Sequence, residues 1–185
     1  MSASVQRSSS TAVCEACGME VNKADISTFR IVAADGSEHW ACCPICAEEI
    51  GLYYANSEIY AKCFSTGKAI KLTIVDGNLA SASVTPADPS DDVRVLLGGS
   101  CATNKIVSNA LLCEQVRQAY AWASNAPLKT LPESFAVAKN KLVQMTVSYK
   151  PVSVPTLNYV MMGVGAAFLV ASPIAWKLGK KGAEA

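Results

Sequence analysis

The sequence predicts an α+β chain, in which a small Cys-rich metal knuckle is followed by antiparallel strands and helices and then by one C-terminal transmembrane helix. Three observations carry this expectation. Five of the eight Cys fall within residues 14–46, Asp-Gly turns separate short apolar runs, and residues 151–176 carry no charge. The balance of 16 Lys+Arg against 15 Asp+Glu excludes the strongly basic footprint that nucleic-acid binding requires. With 185 residues there is room for one ordinary domain and an appendage, so a large multidomain enzyme is excluded.

Residues 1–13 are Ser-rich without apolar periodicity and read as a disordered leader that lacks the apolar core of a secretory signal. Residues 28–33 and 38–42 are β-like runs around Asp35-Gly36, a hairpin signal because both positions tolerate positive φ. A helix is expected over 44–56. Runs 69–75 and 79–85 flank Asp76-Gly77-Asn78 in the same manner, and 93–97 offers another strand. Helices are expected next over 110–124, where Leu112, Val116, Tyr120 and Ala123 share one face, and over 132–146. Residues 85–92, rich in Pro and Asp, read as a surface loop. Residues 14–60 thus form the metal-binding motif and 61–150 the α+β remainder of the same domain, with no internal repeat evident.

The uncharged stretch sits within an anchor expected over 151–178, with Tyr159 and Trp176 at interfacial positions and a short charged tail over 179–185. At ~1.5 Å per residue, about 20 residues cover the ~30 Å hydrocarbon layer. Membrane lipid is therefore an expected partner. Lys177, Lys180 and Lys181 follow the span more densely than Lys139, Lys141 and Lys150 precede it, which favours an extracytoplasmic soluble domain. A tail-anchored cytosolic domain is the alternative.

The chemistry lies in the cysteines. Cys14-Glu-Ala-Cys17-Gly18-Met19 and Cys42-Cys43-Pro44-Ile45-Cys46 are two knuckles joined by a hairpin, which bring several thiolates to one point as a tetrahedral metal demands. With a single His in the chain, His39, the site must be built mainly from sulfur. A helix N-terminus at Cys46 favours thiolate there. The alternative use of such spacing, a pair of disulfides, requires an oxidising compartment.

Cys14-x-x-Cys17-Gly18-Met19-x-Val21, with Trp40-Ala-Cys42-Cys43-Pro44-x-Cys46 running into a helix, resembles the TRASH/YHS group of treble-clef metal-binding domains. The Cys-Gly-Met element, the Asp-Gly hairpin and the later α+β segment also resemble the NosL-like copper-binding accessory proteins. The resemblance implies Cys14, Cys17, Cys42 and Cys46 as ligands of Zn(II) or Cu(I), with Met19 a further donor toward Cu(I). Cys43 duplicates a ligand position, and Cys14, Cys17, Cys43 and Cys46 together are similar to the iron site of rubredoxin, an electron-carrier alternative.

Cys63, Cys101 and Cys113 remain. A Cys101–Cys113 disulfide is expected if the domain faces an oxidising compartment, and buried thiols or a second soft-metal site if it does not. No GxSxG, Walker-type loop, HExxH or CxxCH motif is present, so the chain is expected not to be an enzyme. The expected function is a membrane-anchored metal-binding accessory protein, or metallochaperone, that serves another membrane protein or a metalloenzyme subunit. A zinc-stabilised structural subunit of a membrane complex is the alternative.

Overall fold

The computed structural model describes residues 10–148, with side chains to residue 144. The fold is α+β with antiparallel sheets. Strands β1 (Thr11–Val13), β2 (Glu20–Asn22), β3 (Phe29–Ala33) and β4 (Glu38–Ala41) lead into helix α1 (Pro44–Tyr53). Strands β5 (Ser57–Lys62), β6 (Ala69–Val75), β7 (Asn78–Thr85), β8 (Arg94–Leu96) and β9 (Lys105–Val107) precede α2 (Ala110–Ala119). Strand β10 (Leu128–Thr130) and α3 (Leu131–Ser148) come last, and single 3-10 turns occupy Cys101–Thr103 and Ala121–Ala123. The sheets are β1-β2, β4-β3-β5-β6-β7 and β10-β8-β9.

In the five-stranded sheet, β3, β5 and β6 alternate strictly. Phe29, Ile31 and Ala33 of β3, Ser57, Ile59 and Ala61 of β5, and Ile70, Leu72 and Ile74 of β6 are all buried. This is the period-2 pattern of a sheet with one covered face. Against it lies α1, which packs on β3, β4 and β5. Every residue of α1 from Pro44 to Gly51 is buried, Glu48 and Glu49 included, so this helix lacks the solvent face by which amphipathic helices are recognised. Close approach is set by Gly51, where a Cβ would stand 2.4 Å from Ile74 Cδ1 and 3.1 Å from Ile59 Cδ1. From α3, Ser134 Oγ donates to Glu48 Oε1 at 2.7 Å and Lys141 Nζ to Glu49 Oε2 at 2.9 Å, which partners both acids.

The two Asp-Gly turns differ. At β6-β7, Asp76 (φ +50) and Gly77 (φ +69) are both left-handed between the paired Val75 and Asn78, the two-residue turn that matches strand twist. At β3-β4 only Gly36 is left-handed (φ +82), and Asp35 Oδ1 instead accepts from the Ser37 N–H and Oγ. Those bonds hold the Asp35 carboxyl below its ordinary range.

Three expectations are corrected. Thr11–Val13, assigned by composition to the leader, is a strand paired with Glu20–Asn22. Its order comes from tertiary pairing rather than local propensity. Strand β5, unforeseen because Glu, Ala and Lys are poor strand formers, is the middle strand of the large sheet. The boundary between residues 60 and 61 therefore falls inside a strand, and the Cys-rich segment shares one apolar core with the strands and helices C-terminal to it. Helix α2 ends at Ala119 rather than at 124. Residues 1–9, the anchor expected over 151–178 and the tail over 179–185 lie outside the described residues. Among those described, no helix is long and apolar enough to cross a membrane.

Candidate metal centre

The first knuckle is a tight turn. Gly18 N–H donates to the Cys14 carbonyl at 2.7 Å, Cys14 N–H donates to the Met19 carbonyl at 2.8 Å, and Gly18 adopts φ +77, a conformation costly for other residues. The turn fixes Cys14, wholly buried, and Cys17, which stays exposed.

The second group sits where β4 meets α1. Cys43 caps the helix: its backbone is extended (φ −158), its Sγ accepts from the Cys46 N–H at 3.5 Å, and Pro44 fills the first helical turn. Capping turns Cys43 toward the helix, whereas Cys42 is turned toward the first knuckle. Cys42 Sγ lies 3.4 Å from Cys17 Sγ and 3.9 Å from Cys46 Sγ. Cys14, Cys17, Cys42 and Cys46 thus bring four sulfurs within 4.8 Å of one another. That set contains Cys42, the member by which the TRASH-like register differs from the rubredoxin-like one.

A sixth cysteine joins from far along the chain. Cys101, on the 3-10 turn after β8, places its Sγ 3.7 Å from Cys46 Sγ, and Cys42, Cys43, Cys46 and Cys101 form a second set within 4.8 Å. The expected Cys101–Cys113 disulfide is not formed. Both thiols are free, because the turn aims Cys101 at the cluster while Cys113 is buried in α2. No spacing signal connects Cys101 with residues 55 positions away, so sequence reading missed it as part of this site.

Electrostatics favour anionic sulfur at Cys14 and Cys43. Hydrogen bonds from the Cys42 and Cys46 thiols outweigh burial and pull the Cys43 thiol down to about 3. The same two donors lower Cys14, while Cys42 and Cys46, which keep their protons for Cys14 and Cys43, are raised. Burial, with the Cys43 charge, raises Cys101. The N-terminus of α1 adds its positive dipole end, and Asn104 Nδ2 lies 4.0 Å from Cys43 Sγ. Lys105 acts on Cys42 and Cys43, although burial lowers its own ammonium. Burial, the largest single influence on Lys141, opposes its charge, but the Glu49 bond together with the nearby Cys46, Glu49 and Cys101 charges raises the ammonium. Burial pushes the Glu48 carboxyl well above the usual carboxylate range, and its Oε2 has no hydrogen-bond partner among the described residues.

The other predicted donors are used differently. Met19 is exposed and contributes its carbonyl to the knuckle. His39 has both ring nitrogens engaged, Nδ1 with Glu15 at 2.8 Å and Nε2 with Ser37 Oγ at 2.8 Å, and stacks on Tyr54 at 4.2 Å. Cys63 opens a turn with the bonding of the first knuckle: Gly67 N–H donates to its carbonyl and its own N–H to the Lys68 carbonyl, both at 2.8 Å. The repeat went unseen in sequence because Thr66 stands where the first turn has Cys17. Cys63 Sγ accepts from the Ser108 N–H at 3.4 Å, and burial pushes the Cys113 thiol up to about 12, an inert state for a thiol.

A closed set of four soft, mostly buried sulfurs fits a tetrahedral d10 ion. With metal–sulfur bonds of ~2.3 Å, the edge of such a tetrahedron is ~3.8 Å, close to the 3.4–3.9 Å separations seen between Cys17, Cys42 and Cys46.

No protein-family model and no curated protein matches this sequence. Among solved structures, the chain is similar to the mercury-bound form of MerB2 at 20% identity and TM-score 0.52, over 72% of this chain and 67% of that one. The expectation that the chain is not an enzyme is corrected to an open assignment, since the mercury-bound MerB2 likeness shows a shared fold and gives no support to a non-enzymatic one.

Proposed function

We propose that this chain binds soft d10 ions, Cu(I) or Zn(II), at the cysteine cluster and handles them as a membrane-anchored accessory protein for a metalloenzyme or another membrane protein. The observation that carries the reading is the convergence of sulfurs from three separate segments, the first knuckle, the start of α1 and the 3-10 turn, into sets within 4.8 Å. Thiolates select soft ions over hard ones. The resemblance to TRASH/YHS and NosL-like proteins supports copper or zinc, and the mercury-bound state of MerB2 adds Hg(II) to the ions worth testing. The anchor rests on the uncharged residues 151–176.

Zinc serving structure alone is the second reading, favoured by the complete burial of Cys14, Cys43 and Cys46. Lability separates the two. The test is competition of the full-length chain against a Cu(I) chelator, then against Zn(II). Metal that exchanges within minutes while the fold persists supports handling. Zinc held for hours, with unfolding on removal, supports the structural reading. A chain that binds neither ion, or keeps full metal content after Cys14→Ser combined with Cys46→Ser, overturns both.

A further inference from the structure

We propose that the cluster is dinuclear: two metal ions share Cys42 and Cys46 as bridging thiolates, with Cys14 and Cys17 completing the first ion and Cys43 and Cys101 the second. This rests on the metal-binding function proposed for the cluster and deepens it.

Six sulfurs exceed what one tetrahedral ion can use, and they do not form one undifferentiated crowd. They fall into two sets of four, and Cys42 and Cys46 are the members common to both. The contacts have the same partition: Cys42 Sγ lies 3.4 Å from Cys17 Sγ on one side, and on the other Cys46 donates its N–H to Cys43 Sγ and its own Sγ lies 3.7 Å from Cys101 Sγ. Two sulfurs flanked by a terminal pair on each side are the donor arrangement of two tetrahedra that share an edge. That shared edge measures 3.9 Å between Cys42 and Cys46, against ~3.8 Å for a tetrahedron with ~2.3 Å bonds. The contact from Cys46 to the outer ligand Cys101 is 3.7 Å, again an edge length.

The surroundings suit two cations held by six thiolates. Such a cluster carries net negative charge, and Lys105 and Lys141 stand near enough to Cys42, Cys43, Cys46 and Cys101 to act on them. Cys101 is partly exposed and Cys17 is exposed, so each ion has one terminal ligand at the surface. An incoming thiol can displace either without opening the core.

The experiment loads the full-length chain with 113Cd(II) and reads stoichiometry by native mass spectrometry together with 113Cd NMR. Two Cd(II) per chain are expected, with two resonances that both move on Cys42→Ser. Cys43→Ser with Cys101→Ser is expected to leave one Cd(II), as is Cys14→Ser with Cys17→Ser. One Cd(II) per chain at saturation, unchanged by the Cys43/Cys101 double substitution, overturns the dinuclear site and leaves the metal-binding reading standing. Two Cd(II) retained by that double variant also overturn it. Failure to bind any Cd(II) overturns the metal-binding reading itself.

Discussion

Gly98→Ala tests how the last ligand is delivered. Gly98 precedes the turn that carries Cys101, and a Cβ there would lie 2.4 Å from Thr103 Cβ and 2.5 Å from the Thr103 carbonyl oxygen. The second obstacle is backbone, so no rotamer change relieves it. Ordinary contact begins at 3.4 Å, which requires the Cys101–Thr103 turn to retreat by about 1 Å. A metal–thiolate bond tolerates ~0.2 Å, so Cys101 leaves coordination range while Cys14, Cys17, Cys42 and Cys46, held by the first knuckle and α1, stay in place. Forced packing of this kind costs about 1–3 kcal/mol. For a chain of this size that lowers the thermal midpoint by ~2–4 °C per kcal/mol. The assay is a Cd(II) titration followed by thermal melting of the metal-free and loaded protein. One Cd(II) per chain with a lowered midpoint is the expected result. A variant that melts like the parent and keeps parental stoichiometry refutes the steric argument and the delivery of Cys101 by this turn.

Single Cys14→Ser, Cys17→Ser and Cys46→Ser changes each lower metal content, as measured by elemental analysis, and Cys46→Ser, which removes a sulfur common to both sets, has the largest effect. Ser134→Ala deprives the buried Glu48 carboxyl of its hydroxyl donor, a loss of about 1–3 kcal/mol read as a lower urea midpoint with unchanged slope. Glu133 caps α3 by accepting from the Thr130 N–H at 2.8 Å, and this bond, with the Thr130 hydroxyl, lowers its carboxyl below 4.5. Its stabilising contribution is therefore present above pH 4.5 and lost as pH falls through the native value. An NMR titration of Glu133 with a midpoint at or above 4.5 contradicts this, and Thr130→Ala is expected to raise the midpoint.

Local chemistry was legible along the chain because it acts over a few residues. The Asp76-Gly77 turn, the strand over 69–75, the start of α1 behind Pro44, and the crowding of Cys14, Cys17, Cys42, Cys43 and Cys46 all depend on near neighbours and turn geometry. Tertiary structure decided what local pattern cannot encode. Strand β5 has weak intrinsic preference and takes its place because β3 and β6 offer it partners on both sides. From Pro44 to Gly51 helix α1 is buried all round, so no amphipathic stripe announces which face meets the sheet and which meets α3. The adjacent Cys42 and Cys43 have equal standing in sequence. Their backbone separates them, since a helix-capping residue turns its sulfur to the helix N–H groups while its predecessor at the strand end is turned toward the first knuckle. Cys101 reaches Cys46 across 55 residues. Only closure of the whole fold determines such a meeting, because the intervening α1 and β5 to β8 must all pack before the two sulfurs come together.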